Sequence, residues 1–211
     1  LPYQSWARTS PYKQRLSLSV GYNYNRNGAR IFTHAEFASI LHPQLFELDK
    51  KENKALNKMV KAAKSKNEDK LTAAREIENH LKDEYTCFNL DLPAFSNLIT
   101  INEYKLASET GIVKVFMNVY KNLGYEVVLL YTCSRNEMPF DKEFDSYTHL
   151  KDPILYFPEF YMYTSPTLSS SRLGFPDAYL MDQEALLLKE VSVVGESMFL
   201  PKYTKIGVVD Y

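Results

Sequence analysis

The residues that could carry covalent chemistry in this chain are two cysteines, one serine and one histidine. Cys87 and Ser108 precede a long apolar segment, Cys133 ends it, and His149 follows it. A cysteine or serine becomes a catalytic nucleophile when a histidine lies within hydrogen-bond reach and a third group orients that histidine. One interpretation is therefore a hydrolase or acyltransferase that uses Cys87 or Ser108 with His149.

The local sequence also favours structural roles for the same residues. Cys133 closes an apolar run, where a buried free cysteine usually packs as a small hydrophobic side chain. Ser108 stands directly before an apolar helical pattern with no histidine beside it, which is typical of a helix N-cap. No histidine is adjacent to Cys87 in sequence. We therefore prefer a domain without catalysis, and the enzyme remains the alternative.

A helix and a strand between Lys105 and Cys133 must position these groups. Gly124 is suited to end the helix in the left-handed conformation. The run from Val127 to Tyr131 is apolar and rich in β-branched residues, which predicts a buried strand. Residues at helical spacing form the apolar stripe of the helix: Ile112, Val113, Phe116, Val119, Tyr120 and Leu123.

The remaining segments predict helices between two β regions. Alternating residues around Leu16 to Tyr24 and a turn at Asn25–Gly28 predict a hairpin over residues 13–32. Thr33 to Glu36 has capping-box spacing, and Pro43 should break or restart the helix that follows. Residues 50–85 read as two helices split near residues 65–67, and residues 98–99 as a short turn. Further strands are expected at residues 154–157, 160–163, 186–194 and 202–211.

Composition limits the class of protein. The chain has 211 residues, 45% hydrophobic and 24% charged, which is enough for one good core. Its formal net charge of −1 gives no reason to expect a nucleic-acid partner. No apolar run is long enough to span a membrane, so we expect no membrane insertion of this segment. Because the chain begins at Leu1 without an initiator methionine, we expect it to be part of a longer polypeptide.

Polar clusters give no sign of a metal or cofactor. Asp141, Glu143 and Asp145 are close in sequence, but they lack the glycine and the terminal glutamate of a calcium loop. His34 and His42 have no acidic or cysteine partners at ligand spacing, so a surface or capping role is expected for both. We predict that the chain binds no metal and no cofactor.

Three short motifs in order carry a resemblance to a known family. They are the Lys-x-x-Ser-Glu-x-Gly opening at residues 105–111, Tyr156-Phe-Pro158, and Ser165-Pro-Thr167. With the helix and strands around them, the segment from Asn53 to Lys189 resembles the transglutaminase-like fold, a papain-like Cys-His-Asp fold, in its bacterial extracytoplasmic form. The resemblance implies an α+β fold in which helices pack on an antiparallel β-sheet.

The resemblance also implies where a catalytic triad would stand. Counting back from Gly124 places the cysteine position on Glu109, and counting back from Pro158 places the histidine position near Asp152. Ser165 stands where the family has an aspartate, and His149 lies three residues before Asp152. A carboxylate cannot attack an amide as a thiolate does, so the resemblance implies a fold without its triad.

These observations combine into one set of expectations. Residues 1–52 should be a β-hairpin and linker helix from a preceding β domain, residues 53–190 the transglutaminase-like domain, and residues 191–211 a β extension. The domain should be a non-catalytic binding or structural module of a larger extracytoplasmic bacterial protein, with flanking β domains. A peptide or glycan would bind where the active site once stood, at Ser108, Glu109, Thr110, His149, Asp152, Tyr163 and Ser165.

Overall fold

The computed structural model of the chain describes residues 22–23, 29–89, 92–134, 140–193 and 195–207. Its helices are α1 (His34–Phe46), α2 (Lys50–Ala63), α3 (Lys70–Glu84), α4 (Leu98–Tyr104) and α5 (Glu109–Asn122). Its strands are β1 (Tyr22–Asn23), β2 (Ala29–Arg30), β3 (Thr86–Cys87), β4 (Leu106–Ala107), β5 (Val128–Thr132), β6 (Asp152–Phe157), β7 (Met162–Thr164), β8 (Glu184–Val193) and β9 (Glu196–Lys205).

A five-stranded sheet forms the base of the fold. Its strand order is β7-β6-β5-β8-β9 and every neighbouring pair is antiparallel. One face of the sheet, here called the helix face, packs against α5 through residues such as Leu129, Leu155 and Leu186. On the opposite face, here called the outer face, Leu130 and Ile154 pack against a smaller apolar cluster that includes residues 180, 181 and 206. The predicted α+β fold with an antiparallel sheet is confirmed at this level.

Helix α5 lies in the centre of the core. Every residue from Gly111 to Tyr120 is buried, including the polar residues Lys114 and Asn118. Tyr120 stacks edge-on against Phe157 of β6 at 4.8 Å between ring centroids, which ties the helix to the sheet. A helix that is buried nearly all round must have packing partners on several sides. The helix face of the sheet provides one of them, and the helices α1, α2 and α4 provide the others.

The predicted caps form as expected. The Thr33 hydroxyl accepts a hydrogen bond from the Glu36 amide at 3.1 Å at the start of α1. Ser108 is the N-cap of α5, and Gly124, with φ of 83°, follows its C-terminus in the left-handed region. Helices α2 and α3 are separated at residues 64–69, as the sequence indicates.

Helix α1 departs from expectation at Pro43. The helix continues through Pro43 to Phe46 and does not break. A proline removes the hydrogen bond to the carbonyl four residues earlier, here that of Ser39. Ser39 is exposed, so water can satisfy this carbonyl. Residues 98–104 also differ from the predicted short turn, because they form the seven-residue helix α4 with Leu98 and Ile101 fully buried.

Two histidines of α1 are buried and not at the surface as predicted. His34 is 2% exposed and His42 is 8% exposed. His34 packs between Phe140 and Tyr203, and His42 packs against Phe46 and Phe199. The sequence prediction failed because β9, more than 150 residues later in the chain, covers this side of the helix.

The predicted domain boundaries fall inside secondary-structure elements. Residue 52 lies in α2, and residue 190 lies in β8. Strand β9, which covers much of the predicted β extension, pairs with β8 along ten residue pairs and belongs to the same sheet. At the N-terminal end, β1 and β2 pair as an antiparallel ladder, and the predicted turn between them lies outside the described residues.

Candidate functional site

Ser108 acts as a structural cap at the start of α5. Its side chain is fully buried, and its Oγ accepts a hydrogen bond from the Gly111 amide at 3.1 Å. The same oxygen lies 2.6 Å from the Ser96 hydroxyl and 3.3 Å from the Phe95 carbonyl. Because these contacts occupy the hydroxyl and none of them involves a histidine, Ser108 is not arranged as an activated nucleophile.

Glu109 is the first residue of α5 and its side chain is exposed. A carboxylate at this position interacts favourably with the helix dipole. Burial, together with the Glu109 charge, raises the pKa of the Cys87 thiol to about 11. The same two causes raise the pKa of Tyr131 in β5. The Cys87 sulfur is therefore held as a thiol at neutral pH, the opposite of what a cysteine nucleophile requires.

A cavity of about 290 Å³ lies beside Glu109, and we name it the α5 cleft. It lies between α1, the first turn of α5 and the start of β6. Its apolar wall consists of Phe37, Ile40, Leu41, Tyr131, Tyr147, Leu150 and Pro153. Its polar lining consists of Gln44, Glu109, Thr110 and Lys151. Such a mixture of an apolar wall and a few polar groups is typical of ligand-binding clefts.

His149 is close in sequence to residues that line this cleft, but His149 itself is not part of the lining. It ends a 3-10 turn at Tyr147–His149 and is half-buried, with its ring 5.7 Å from that of Phe144. Tyr147 and Leu150, on either side of it, do line the cleft. The structure therefore brings the neighbours of His149, rather than His149 itself, to the predicted site.

Asp152 is carried away from the cleft by the pleat of β6. Leu155 and Phe157 belong to the helix-face core, whereas Ile154 belongs to the outer-face cluster. Side chains alternate between the two faces of a strand, so Asp152 shares the outer face with Ile154. Lys151 and Pro153, one residue before and after it, line the cleft instead. The sequence count missed Lys151 by one residue, and strand alternation was the signal that could have found it.

Ser165 and Tyr163 are also accounted for by packing. Ser165 is fully buried, and its Oγ donates to the Pro153 carbonyl at 3.1 Å, so it stays next to β6 behind the cleft. Tyr163 stacks on Tyr156 with ring centroids 4.8 Å apart and packs with the outer-face cluster. Of the seven predicted site residues, Glu109 and Thr110 line the cleft.

A second cavity of about 370 Å³ adjoins the α5 cleft, and we name it the polar cavity. Gln44 and Thr110 line both cavities. The polar cavity also contacts Pro93, Ser96 and Asn97. Its floor holds an ion pair between Lys114 and Glu52, whose Nζ and Oε1 atoms are 2.8 Å apart. Sequence reasoning did not identify this pair, because its members are 62 residues apart.

The described part of the chain contains no group of three or more His, Cys, Asp and Glu side chains that could hold a metal ion. None of the helices described here combines the length and apolar character needed to cross a membrane. No protein-family model, no curated protein and no solved structure matches this chain.

Proposed function

We propose that this chain is a non-catalytic transglutaminase-like domain that serves as a binding or structural module in a larger extracytoplasmic bacterial protein. The observation that carries the proposal is the start of α5. There a carboxylate, Glu109, stands at the mouth of a cleft, and the adjacent serine is fully buried as a helix cap.

The order of elements supports a transglutaminase-like core. A buried central helix, α5, is followed by the antiparallel strands β5, β6 and β7, and its N-terminus meets the cleft beside β5 and β6. In the family that the sequence resembles, this end of the helix carries the nucleophile and the next strands carry its partners. The Ser165 hydroxyl donates to the Pro153 carbonyl at 3.1 Å, so the third motif of the resemblance contacts β6, the strand that carries the start of the second motif, at a residue that lines the cleft.

The cleft favours binding over a purely structural role. Its wall offers two tyrosines and several aliphatic side chains, and its rim offers Glu109 and Lys151 with opposite charges. An extended peptide or a glycan could place apolar surface against the wall and polar groups at the rim. The proposed ligand is therefore either a peptide or a glycan.

The alternative is a divergent hydrolase or acyltransferase that uses Cys87 or Ser108 with His149. The raised pKa of Cys87 and the capping contacts of Ser108 both count against it. This alternative predicts turnover that is lost when the nucleophile is replaced. We expect no incorporation of dansylcadaverine into casein and no casein hydrolysis, and the same result for Cys87→Ala.

Binding can be tested by titrating the labelled protein with a lysozyme digest of bacterial peptidoglycan, which presents both peptides and glycans. We expect amide chemical-shift changes in NMR spectra at Glu109, Thr110 and Lys151. Ile40→Asp places a charge on the cleft wall and should abolish the changes, because an unpaired charge would have to be desolvated on binding. Ile40 is 43% exposed, so the substitution should leave the fold intact.

Ile99→Asp is the matched control, since Ile99 is 36% exposed on α4 and lines neither cavity. It should leave the chemical-shift changes as they are in the unmodified chain. Turnover that depends on Cys87 or Ser108 would overturn the non-catalytic assignment. If no amide chemical shift near the cleft changes, the binding role is wrong and the structural role is the one that is kept.

A further inference from the structure

The polar cavity beside the α5 cleft contains charged groups with unused hydrogen-bonding capacity. The side chains of Lys114 and Glu52 are 7% and 9% exposed, and both line the cavity. Burying charged groups is costly unless their hydrogen bonds are satisfied. An ion pair of this kind at the base of an open cavity therefore needs partners beyond its own members.

The protein supplies part of those partners. An ammonium group has three N–H donors. Within the described residues Lys114 Nζ has one acceptor, Glu52 Oε1. Glu52 Oε1 also accepts from the Leu98 amide at 3.2 Å, whereas Glu52 Oε2 receives no hydrogen bond from the described residues. The pair thus offers donors and an acceptor side by side.

The rest of the lining has the same mixed character. Gln44, Ser96, Asn97 and Thr110 carry neutral polar side chains, and Pro93 is the one apolar lining residue among those that the structure describes. Because Lys114 and Glu52 neutralise each other, the cavity has no net charge that would select an anion or a cation. Pro93 and the aliphatic parts of the polar side chains also give the cavity apolar surface, so a ligand must present C–H groups as well as polar groups. A neutral ligand rich in hydroxyl groups fits both conditions, because a hydroxyl group is both donor and acceptor.

We propose that the polar cavity binds a neutral sugar unit, with one hydroxyl accepting from Lys114 Nζ and a neighbouring hydroxyl donating to Glu52 Oε2. The volume of about 370 Å³ lies within the range of small-molecule sites. Gln44 and Thr110 line both cavities, so a glycan chain could continue from the polar cavity into the α5 cleft. This inference rests on the proposed binding function and chooses the glycan over the peptide.

The test is isothermal titration calorimetry with neutral disaccharides, namely cellobiose, maltose, xylobiose and N,N′-diacetylchitobiose. We expect saturable one-to-one binding of at least one of them. The double variant Glu52→Gln/Lys114→Met removes both charges together, which avoids leaving one buried charge unpaired. Its Kd should rise by about tenfold or more, because hydrogen bonds to charged groups are lost.

Two single variants at exposed positions test the proposal even if the double variant does not fold. Gln44→Leu changes an exposed lining residue and should raise the Kd by about two- to tenfold, as expected for loss of a neutral hydrogen bond. Asn57→Leu makes the same change at an exposed position of α2 that lines neither cavity, and the Kd should not change.

Two results would overturn the proposal. One is the absence of binding of every disaccharide at about 10 mM, a concentration that reveals even weak sites. The other is binding that neither the double variant nor Gln44→Leu weakens. If peptides from the peptidoglycan digest bind in a manner sensitive to Ile40→Asp while the sugars do not bind, the proposed function holds and the sugar site fails. If a sugar binds at this cavity but turnover depends on Cys87 or Ser108, the sugar site holds and the non-catalytic assignment fails.

Discussion

Gly111, in the first turn of α5, is required by a close approach of the backbone. A Cβ atom at this position would lie 2.2 Å from the Phe95 carbonyl oxygen. That carbonyl is held in place because it accepts hydrogen bonds from the Ser108 amide at 3.0 Å and from the Ser108 hydroxyl. The Phe95 carbonyl that binds Ser108 therefore excludes any side chain at Gly111, the third residue of α5.

Gly111→Ala should destabilise the protein, although alanine is the better helix former by about 1 kcal/mol. Forcing a methyl group against a fixed carbonyl should lower the free energy of unfolding by about 1–3 kcal/mol. Urea denaturation followed by circular dichroism measures the change. Thr110→Ala, at the neighbouring and partly exposed position, should change the free energy of unfolding by less than about 1 kcal/mol. A stabilised Gly111→Ala would contradict the close approach.

At the scale of elements, a buried polar cluster fastens α3 to the segment that follows β7. Glu78 is fully buried and accepts hydrogen bonds from the Thr164 hydroxyl and from the Leu173 amide, the latter at 2.6 Å. Lys82, one turn later, pairs with Glu78 at 3.1 Å and donates to the carbonyls of Leu168 and Ser171. Burial lowers the pKa of Lys82, while the nearby Glu78 opposes that shift. The cluster holds Ser165 and its neighbours against the sheet.

Glu78→Gln should cost about 3–5 kcal/mol of unfolding free energy, because Lys82 would remain buried without its counter-charge. The double variant Glu78→Gln/Lys82→Met should recover part of this loss, and denaturation of the two variants side by side measures the difference. Glu76→Gln is the matched control on the same helix, since Glu76 is exposed, and its effect should stay below about 1 kcal/mol. If Glu76→Gln and Glu78→Gln lower the free energy of unfolding equally, the buried cluster does not hold the segment after β7 in place.

At the scale of the whole molecule, His34 connects distant parts of the chain. Its Nδ1 lies 3.0 Å from the Tyr203 hydroxyl of β9 and 3.5 Å from Asp145 Oδ1. Burial lowers the pKa of His34, and the charge of Asp145 and the Ser146 backbone only partly oppose that effect. The folded protein therefore holds this histidine neutral at a pH where the unfolded chain protonates it.

The sign of the resulting pH dependence follows from proton binding. Below pH 6.5, the ordinary value for the histidine pKa, the unfolded chain binds a proton that the folded chain does not, so stability falls as the pH falls. The slope from this one group cannot exceed about 1.4 kcal/mol per pH unit. We expect His34→Gln to lose less stability than the unmodified protein between pH 7.5 and pH 5, measured by urea denaturation at each pH. An unchanged pH dependence in this variant would contradict the role of His34.

The sequence by itself determined the features that depend on near neighbours. The caps at Thr33 and Ser108, the division between α2 and α3, and the apolar stripe of α5 all follow from spacings of three or four residues. The apolar, β-branched run from Val127 to Tyr131 likewise predicted the buried strand β5. Hydrogen bonds and side-chain spacing within one helix or strand act over a few residues, so one segment of sequence is enough to predict them.

Only the tertiary structure decided which side chains meet. It turned Asp152 to the outer face and brought Lys151 to the cleft, buried His34 and His42 under β9, and joined Glu52 to Lys114. Each outcome depends on contacts between segments far apart in the chain, or on a strand register in which one residue reverses the face. Alternation along a strand can assign Lys151 and Asp152 to opposite faces, but which face meets the cleft and which distant segment packs there depend on the tertiary contacts.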